Sequence, residues 1–171
     1  GNAHNILRFF EHHVTFSVGE ARYGSAPSNA PERAFIPQAL MLDHLKRTLH
    51  VAMAFAFYDA FPSLRRVYLN APPPLRSFDH IEDFPAVFRD SLERMGPVPD
   101  DLRLHLYKLQ TEAMRSLAKD AGAVFVDVDP GLMDEDGFLK EDYVTQDPTH
   151  ANDVYGGIML DCIYARAGEL M

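Results

Sequence analysis

The chain has 171 residues, 47% hydrophobic and 24% charged, a balance that fits one packed domain and excludes disorder along its whole length. Its 25 acidic residues outnumber the 16 basic ones, giving a net charge of -9. A nucleic-acid binder needs a basic stripe to neutralise phosphates, and here Lys46-Arg47 and Arg65-Arg66 are isolated pairs, so nucleic acid is not an expected partner.

The first 34 residues carry the weakest pattern. Val14, Phe16 and Val18 alternate with polar residues and predict a short strand ending at Gly19. Gly24 to Pro31 reads as a loop. From Pro37 to Phe61, Leu42, Leu45, Leu49, Ala52, Met53 and Ala56 recur at helical spacing, with Pro37 suited to the first turn and Pro62 to the stop. This segment is apolar on more than one side and is expected to be largely buried. Val67-Tyr68-Leu69 predicts a buried strand that must finish before Pro72-Pro73-Pro74, because proline cannot donate ladder hydrogen bonds.

A short helix is expected over residues 84–94. The clearest helix runs from Asp100 to Ala121, with Leu102, Leu106, Leu109, Ala113 and Leu117 as its stripe and Gly122 beyond its end. Ala123 to Val128 is the next buried strand. Strand, long helix, strand implies a parallel crossover. Asp136-Gly137 marks a turn, and a last helix spans about Asn152 to Arg166, capped by Asn152 or Asp153. The expected fold is therefore α/β, a single domain over residues 1–171.

No apolar run is long enough to cross a bilayer, and no signal peptide is legible, which leans towards a cytoplasmic location. The single cysteine, Cys162, rules out an intrachain disulfide and a cysteine-based zinc site.

In open α/β sheets, ligands sit beyond the carboxyl ends of the strands. Three segments are expected there: Asn70 to Pro74, Asp127 to Gly131, and Asp147-Pro148-Thr149-His150. The last carries an Asp and a His three apart, just before the cap of the final helix. The helix N-terminus opposes an imidazolium, while a carboxylate on the other ring nitrogen fixes the tautomer and stabilises the cation formed on proton abstraction. Such a pair can serve as a general base. The same spacing also serves loop formation and capping with no catalytic duty.

The run Asp147-x-x-His150-x-Asn152, continuing as Val154-Tyr155-Gly156-Gly157, resembles the last conserved block of SGNH (GDSL-type) hydrolases, and Gly1-Asn2 resembles another block of that family. The resemblance implies a three-layer α/β/α, flavodoxin-like parallel sheet. It also implies a catalytic pair of Asp147 and His150, and an oxyanion hole built from the Gly1 N–H and the Asn2 side chain. The family's nucleophile is a serine in a Gly-Asp-Ser block upstream of the Gly-Asn block. This chain has no Gly-Asp-Ser, and Gly24-Ser25 follows the oxyanion block instead of preceding it. The expectation is a C-terminal portion lacking the N-terminal strand and nucleophile loop.

The implied activity is that of a serine-dependent ester hydrolase or acyl transferase acting on a small-molecule or carbohydrate ester, with no cofactor. The alternative is a carbohydrate- or acyl-binding domain that has lost the nucleophile, with Tyr23, Phe78 and Tyr143 as exposed stacking surfaces. A metal site is not expected. His4, His12 and His13 lack zinc-ligand spacing, and Asp127, Asp129, Asp134, Glu135 and Asp136 fit an acidic solvated loop better than a calcium loop. His44, His50 and His105 fall on helices as surface or core-edge residues, and Asp79-His80 is placed as a lining of the cleft.

Overall fold

The computed structural model describes residues 16–18, 21–23, 34–52, 64–82, 89 and 99–168. Their class is α/β. Three short strands, β1 (Phe16–Val18), β2 (Ala21–Tyr23) and β3 (Ala34–Ile36), form one sheet in the order β2-β1-β3. Strand β1 runs antiparallel to β2, with Phe16 opposite Tyr23, and parallel to β3, with Phe16 opposite Ala34. Of these only β1 was expected. The loop from Gly24 to Pro31, the helix over 84–94 apart from Arg89, and residues Gly1 and Asn2 lie outside the described residues.

Helix α1 (Gln38–Ala52) begins directly after Pro37, where a missing N–H costs no hydrogen bond. Met41 and Leu45 are buried, with Leu42 and Leu49 half-buried behind them. The opposite face meets solvent: Asp43, His44, Arg47 and Thr48 are exposed, and Leu40 is 59% exposed. The expectation of a largely buried helix over Pro37 to Phe61 does not hold for residues 38–49, and Met53 to Phe61 lie outside the described residues. The described part of α1 is amphipathic, and the polar residues between its leucines decide the face.

Strands β4 (Val67–Leu69) and β5 (Val124–Val126) pair in parallel, with Val67 opposite Val124 and Leu69 opposite Val126. Between them in sequence lies α2 (Asp100–Asp120), so the strand–helix–strand order holds. The expected burial of β4 is only partial, since Tyr68 is buried whereas Leu69 is exposed. Helix α2 ends in a Schellman cap. Gly122 adopts φ +63°, its N–H reaches Lys119 O at 3.0 Å, and Ala123 N–H reaches Ala118 O at 2.8 Å.

Helix α2 buries two stripes. Leu102, Leu106, Leu109 and Ala113 join Val18, Met41 and Leu45 in one core. Arg103, Tyr107, Gln110 and Met114 form a second buried line one residue further on. Tyr107 and Arg103 reach the segment after β4 through hydrogen bonds to Ala71 O, Leu75 O and Arg76 O. That second stripe, mostly polar, is what the leucine periodicity concealed.

Helix α3 (Asp153–Gly168) packs on β4 and β5 and supplies Tyr155 and Met159 to a second core with Leu75, Ile81, Val126, Val128, Leu132 and Leu139. Asn152 is its cap, accepting the Tyr155 N–H at 3.1 Å. The connection from β5 to α3 contains only two short 3-10 turns, Pro130–Leu132 and Glu141–Tyr143. Its rigidity comes from elsewhere. Leu139 N–H bonds Pro74 O at 3.0 Å, and buried Leu132, Phe138 and Leu139 point into the molecule.

The acidic stretch in this connection is more than a solvated loop. One oxygen of Asp134 accepts the N–H groups of Asp136, Gly137 and Phe138 at 2.9–3.0 Å, and the other accepts from Arg76 at 2.8 Å. Gly137, at φ +99°, closes that turn in a conformation side chains disfavour. Burial pushes the Asp134 carboxyl up, but Arg76 and these backbone donors outweigh it and hold it below its ordinary value.

Candidate active site at Asp147 and His150

Asn70–Pro74 and Asp127–Gly131 leave the parallel pair β4 and β5 at the same edge, as expected of a ligand-binding rim. Just inside it, buried Asn70 donates to the hydroxyls of Tyr107 and Thr111 at 3.3 and 3.1 Å. A cavity of about 700 Å³ opens here, lined by Asn70, Tyr107, Thr111, Arg115, Asp127 and Met133 among others. Asp147 and His150 do not line it. They belong to the loop that leads into α3.

The loop is organised by its own short side chains. Asp147 N–H donates to Thr145 Oγ1 at 2.9 Å. The Thr149 N–H and hydroxyl both donate to Asp147 Oδ1, at 2.6 and 2.7 Å. This leaves Asp147 Oδ2 free to face His150 Nδ1, 3.0 Å away. Such i to i+2 and i to i+3 contacts are what Asp and Thr do before a helix.

The Asp147 carboxyl bears on that contact. Burial raises the Asp147 carboxyl, but the Thr149 hydroxyl, the Thr149 N–H and the His150 ring lower it more, and it lies below its ordinary value. An ionised carboxylate can only accept, so it favours the tautomer with the hydrogen on His150 Nδ1. Thr149 Oγ1, 3.1 Å from the same nitrogen, already gives its one hydrogen to Asp147 and can only accept there. Nε2 of a neutral ring is then an unprotonated base. The His150 side chain is 66% exposed and Asp147 41%, so Nε2 is open to an incoming group. The arrangement can take a proton from a nucleophile and share the resulting charge with Asp147.

A second segment braces this loop. His80 Nε2 lies 3.0 Å from Thr145 O, Gln146 Nε2 donates to His80 O at 2.8 Å, and Glu82 N–H donates to Gln146 Oε1 at 3.1 Å. His80 also lines a cavity of about 290 Å³ with Arg76, Ser77, Leu139, Glu141 and Val144. Asp79-His80 was expected to line the substrate cleft; His80 borders this smaller cavity and not the one at the β4 and β5 edge. Asp79 instead accepts from Ser77 Oγ at 2.7 Å.

Among the described residues no serine hydroxyl bonds His150, whose ring partners are Asp147 and Thr149. The residues expected to build an oxyanion hole, Gly1 and Asn2, lie outside the described residues, as do His4, His12 and His13. No group of three His, Cys, Asp or Glu side chains among the described residues could hold a metal ion. No described helix is long and apolar enough to cross a membrane.

Two of the aromatic residues expected to be exposed are engaged. Phe78 stacks under the Arg103 guanidinium at 4.8 Å, and Tyr143 meets Tyr155 edge-on with centroids 6.5 Å apart. Both are half-buried, not exposed as expected, and the Tyr23 side chain lies outside the described residues. Thr149 and Gln146 drew no expectation from sequence. Thr149 was legible in principle, since a Thr two residues after an Asp favours such a turn. Neither family models, curated proteins nor solved structures give a match to this chain.

Proposed function

We propose that the chain supplies the acid–base half of a serine-dependent ester hydrolase or acyl transferase of the SGNH (GDSL-type) kind, within a three-layer, flavodoxin-like α/β/α fold. The observation that carries this reading is the Asp147–His150 contact, with Nδ1 facing the carboxylate and Nε2 exposed. In the proposed reaction, a serine supplied from upstream of Gly1 attacks the ester carbonyl while its proton passes to His150 Nε2. Asp147 holds the imidazolium. The Gly1 N–H and Asn2 amide stabilise the oxyanion, a task for which one donor is worth about 3 kcal/mol of barrier. His150 then returns the proton to the departing alcohol, and water releases the acyl group by the same steps in reverse.

The test uses the gene product that includes the upstream sequence, assayed on a chromogenic acetate ester. His150→Ala should lower kcat by at least about 10⁴-fold with the circular-dichroism spectrum unchanged. Near-normal turnover by that variant would refute the assignment. A fluorophosphonate probe should add one mass adduct on a serine upstream of Gly1.

A second reading is favoured by the position of the cavity of about 700 Å³ beside Asn70. Its walls are Asn70, Tyr107, Thr111 and Arg115, and Asp147 and His150 are not among them. A non-catalytic carbohydrate- or acyl-binding domain would use that space, and a fluorophosphonate-inert protein that still binds such a ligand would favour it.

A further inference from the structure

The loop carrying Asp147 and His150 is seated at its C-terminal end by buried Pro148 and Thr149, by Ala151 against the second core, and by the Asn152 N–H on Tyr143 O at 2.9 Å. Its N-terminal end is held at the turn of residues 80–82. Gln146 turns its carboxamide onto the backbone of residues 80–82, donating through Nε2 to His80 O at 2.8 Å and accepting through Oε1 from Glu82 N–H at 3.1 Å. An amide that gives one hydrogen bond and takes one from the same short segment reproduces with a side chain what a neighbouring strand does with its backbone. His80 completes the contact from the other side. Its Nε2, facing a carbonyl that can only accept, donates to Thr145 O at 3.0 Å.

The segment being gripped is itself anchored. Ile81 is buried in the second core, and Ile81 N–H bonds Phe78 O at 3.0 Å. Thr145, the other end of the grip, passes its hold on to the residue two further along, because its hydroxyl accepts the Asp147 N–H at 2.9 Å. A chain of hydrogen bonds therefore runs from a core-anchored turn, through Gln146 and Thr145, to the residue that orients His150.

We propose that Gln146 is a positioning residue for His150, holding the Asp147–His150 loop in register with the turn at residues 80–82. The proposal rests on the hydrolase reading for its functional meaning, but it can be tested without any turnover. The reader is the tautomer of His150, followed by long-range ¹H–¹⁵N correlation on the ¹⁵N-labelled chain above the pH at which the ring is protonated. In the native protein the hydrogen should sit on Nδ1, facing Asp147.

Gln146→Met keeps the side-chain length and removes both hydrogen bonds. It should lower the ratio of Nδ1–H to Nε2–H at His150 by about five-fold, the effect of roughly one ordinary hydrogen bond of positioning. Gln146→Glu sets a carboxylate against the His80 carbonyl and should lower the ratio at least as far. In both variants the Met159 methyl signals in the second core should stay in place. Gln146 is exposed, so neither change creates a buried void.

An unchanged tautomer ratio in both variants overturns the proposal. So does a changed ratio accompanied by displaced Met159 signals, because the effect would then be general loosening. If the ratio falls as expected and the His150→Ala enzyme still turns over ester, the positioning role stands and the hydrolase reading falls. The two failures are thereby told apart.

Discussion

Arg103 shows how a charged residue inside a helix can hold a loop in place, and replacing it with Met measures that role. Arg103 is 2% exposed. Its guanidinium donates to Leu75 O at 2.6 Å and Arg76 O at 2.8 Å, and also meets Asp100. The rings of Phe78 and Phe138 lie 4.8 and 5.6 Å from it. Met would fill most of the same space but offer no donor to the two carbonyls. An acceptor stranded in a buried site costs about 1–3 kcal/mol, and each lost cation–π contact about 0.5–1 kcal/mol. Against this, Met relieves the cost of burying a cation, which here pulls the Arg103 pKa down. The partner Asp100 is mostly exposed and adds little. The net expectation is a loss of about 3 kcal/mol, or a fall in Tm of about 6–12 °C for a chain of this size.

Urea and thermal unfolding followed by circular dichroism would measure it. Arg115→Met is the control. Arg115 has the same kinds of partner, Asp127 at 2.7 Å and the Phe125 ring at 5.3 Å, but both ends of the ion pair are over half exposed. Its loss should be below about 1 kcal/mol. Equal and small losses for the two variants would refute the view that burial makes Arg103 a structural tie.

Two further outcomes follow from the same reasoning. Asn152→Ala removes the cap of α3 and the bond from Nδ2 to Asp142 O at 2.8 Å, and should lower stability by about 1 kcal/mol in urea titrations. Burial, reinforced by Asp127, pushes the Tyr107 phenol up to about 12 from its ordinary 10.0, against the Thr111 hydrogen bond. The folded protein therefore keeps a proton that the unfolded chain releases, and stability should fall as pH rises between those values. Tyr107→Phe should flatten that fall, and an unaltered slope would show that the phenol is not protected.

What could be read in the sequence was local. Leu102, Leu106, Leu109 and Ala113 announce α2 because one helix face is apolar, and Asp147 and His150 meet because they are three apart in a turn. Strands β2 and β3 escaped notice because three residues are too few to show alternation, and β1 and β3 pair across an intervening stretch of chain. The Gln146 contact was invisible for a different reason. Its partners are the backbone groups of His80 and Glu82, which any residues at those positions would offer. Arg103 was hidden because a charge next to a leucine stripe is ordinarily assigned to water.

The grip of Gln146 on residues 80–82 also closes a long ring of chain, which contains α2 and both of the helix's caps. Entropy sets the cost of closing such a ring, and that cost grows only with the logarithm of its length. Doubling the ring would add only about 0.6 kcal/mol. Holding the Asp147–His150 loop against a turn so distant in sequence therefore costs little more than holding it against a nearby one.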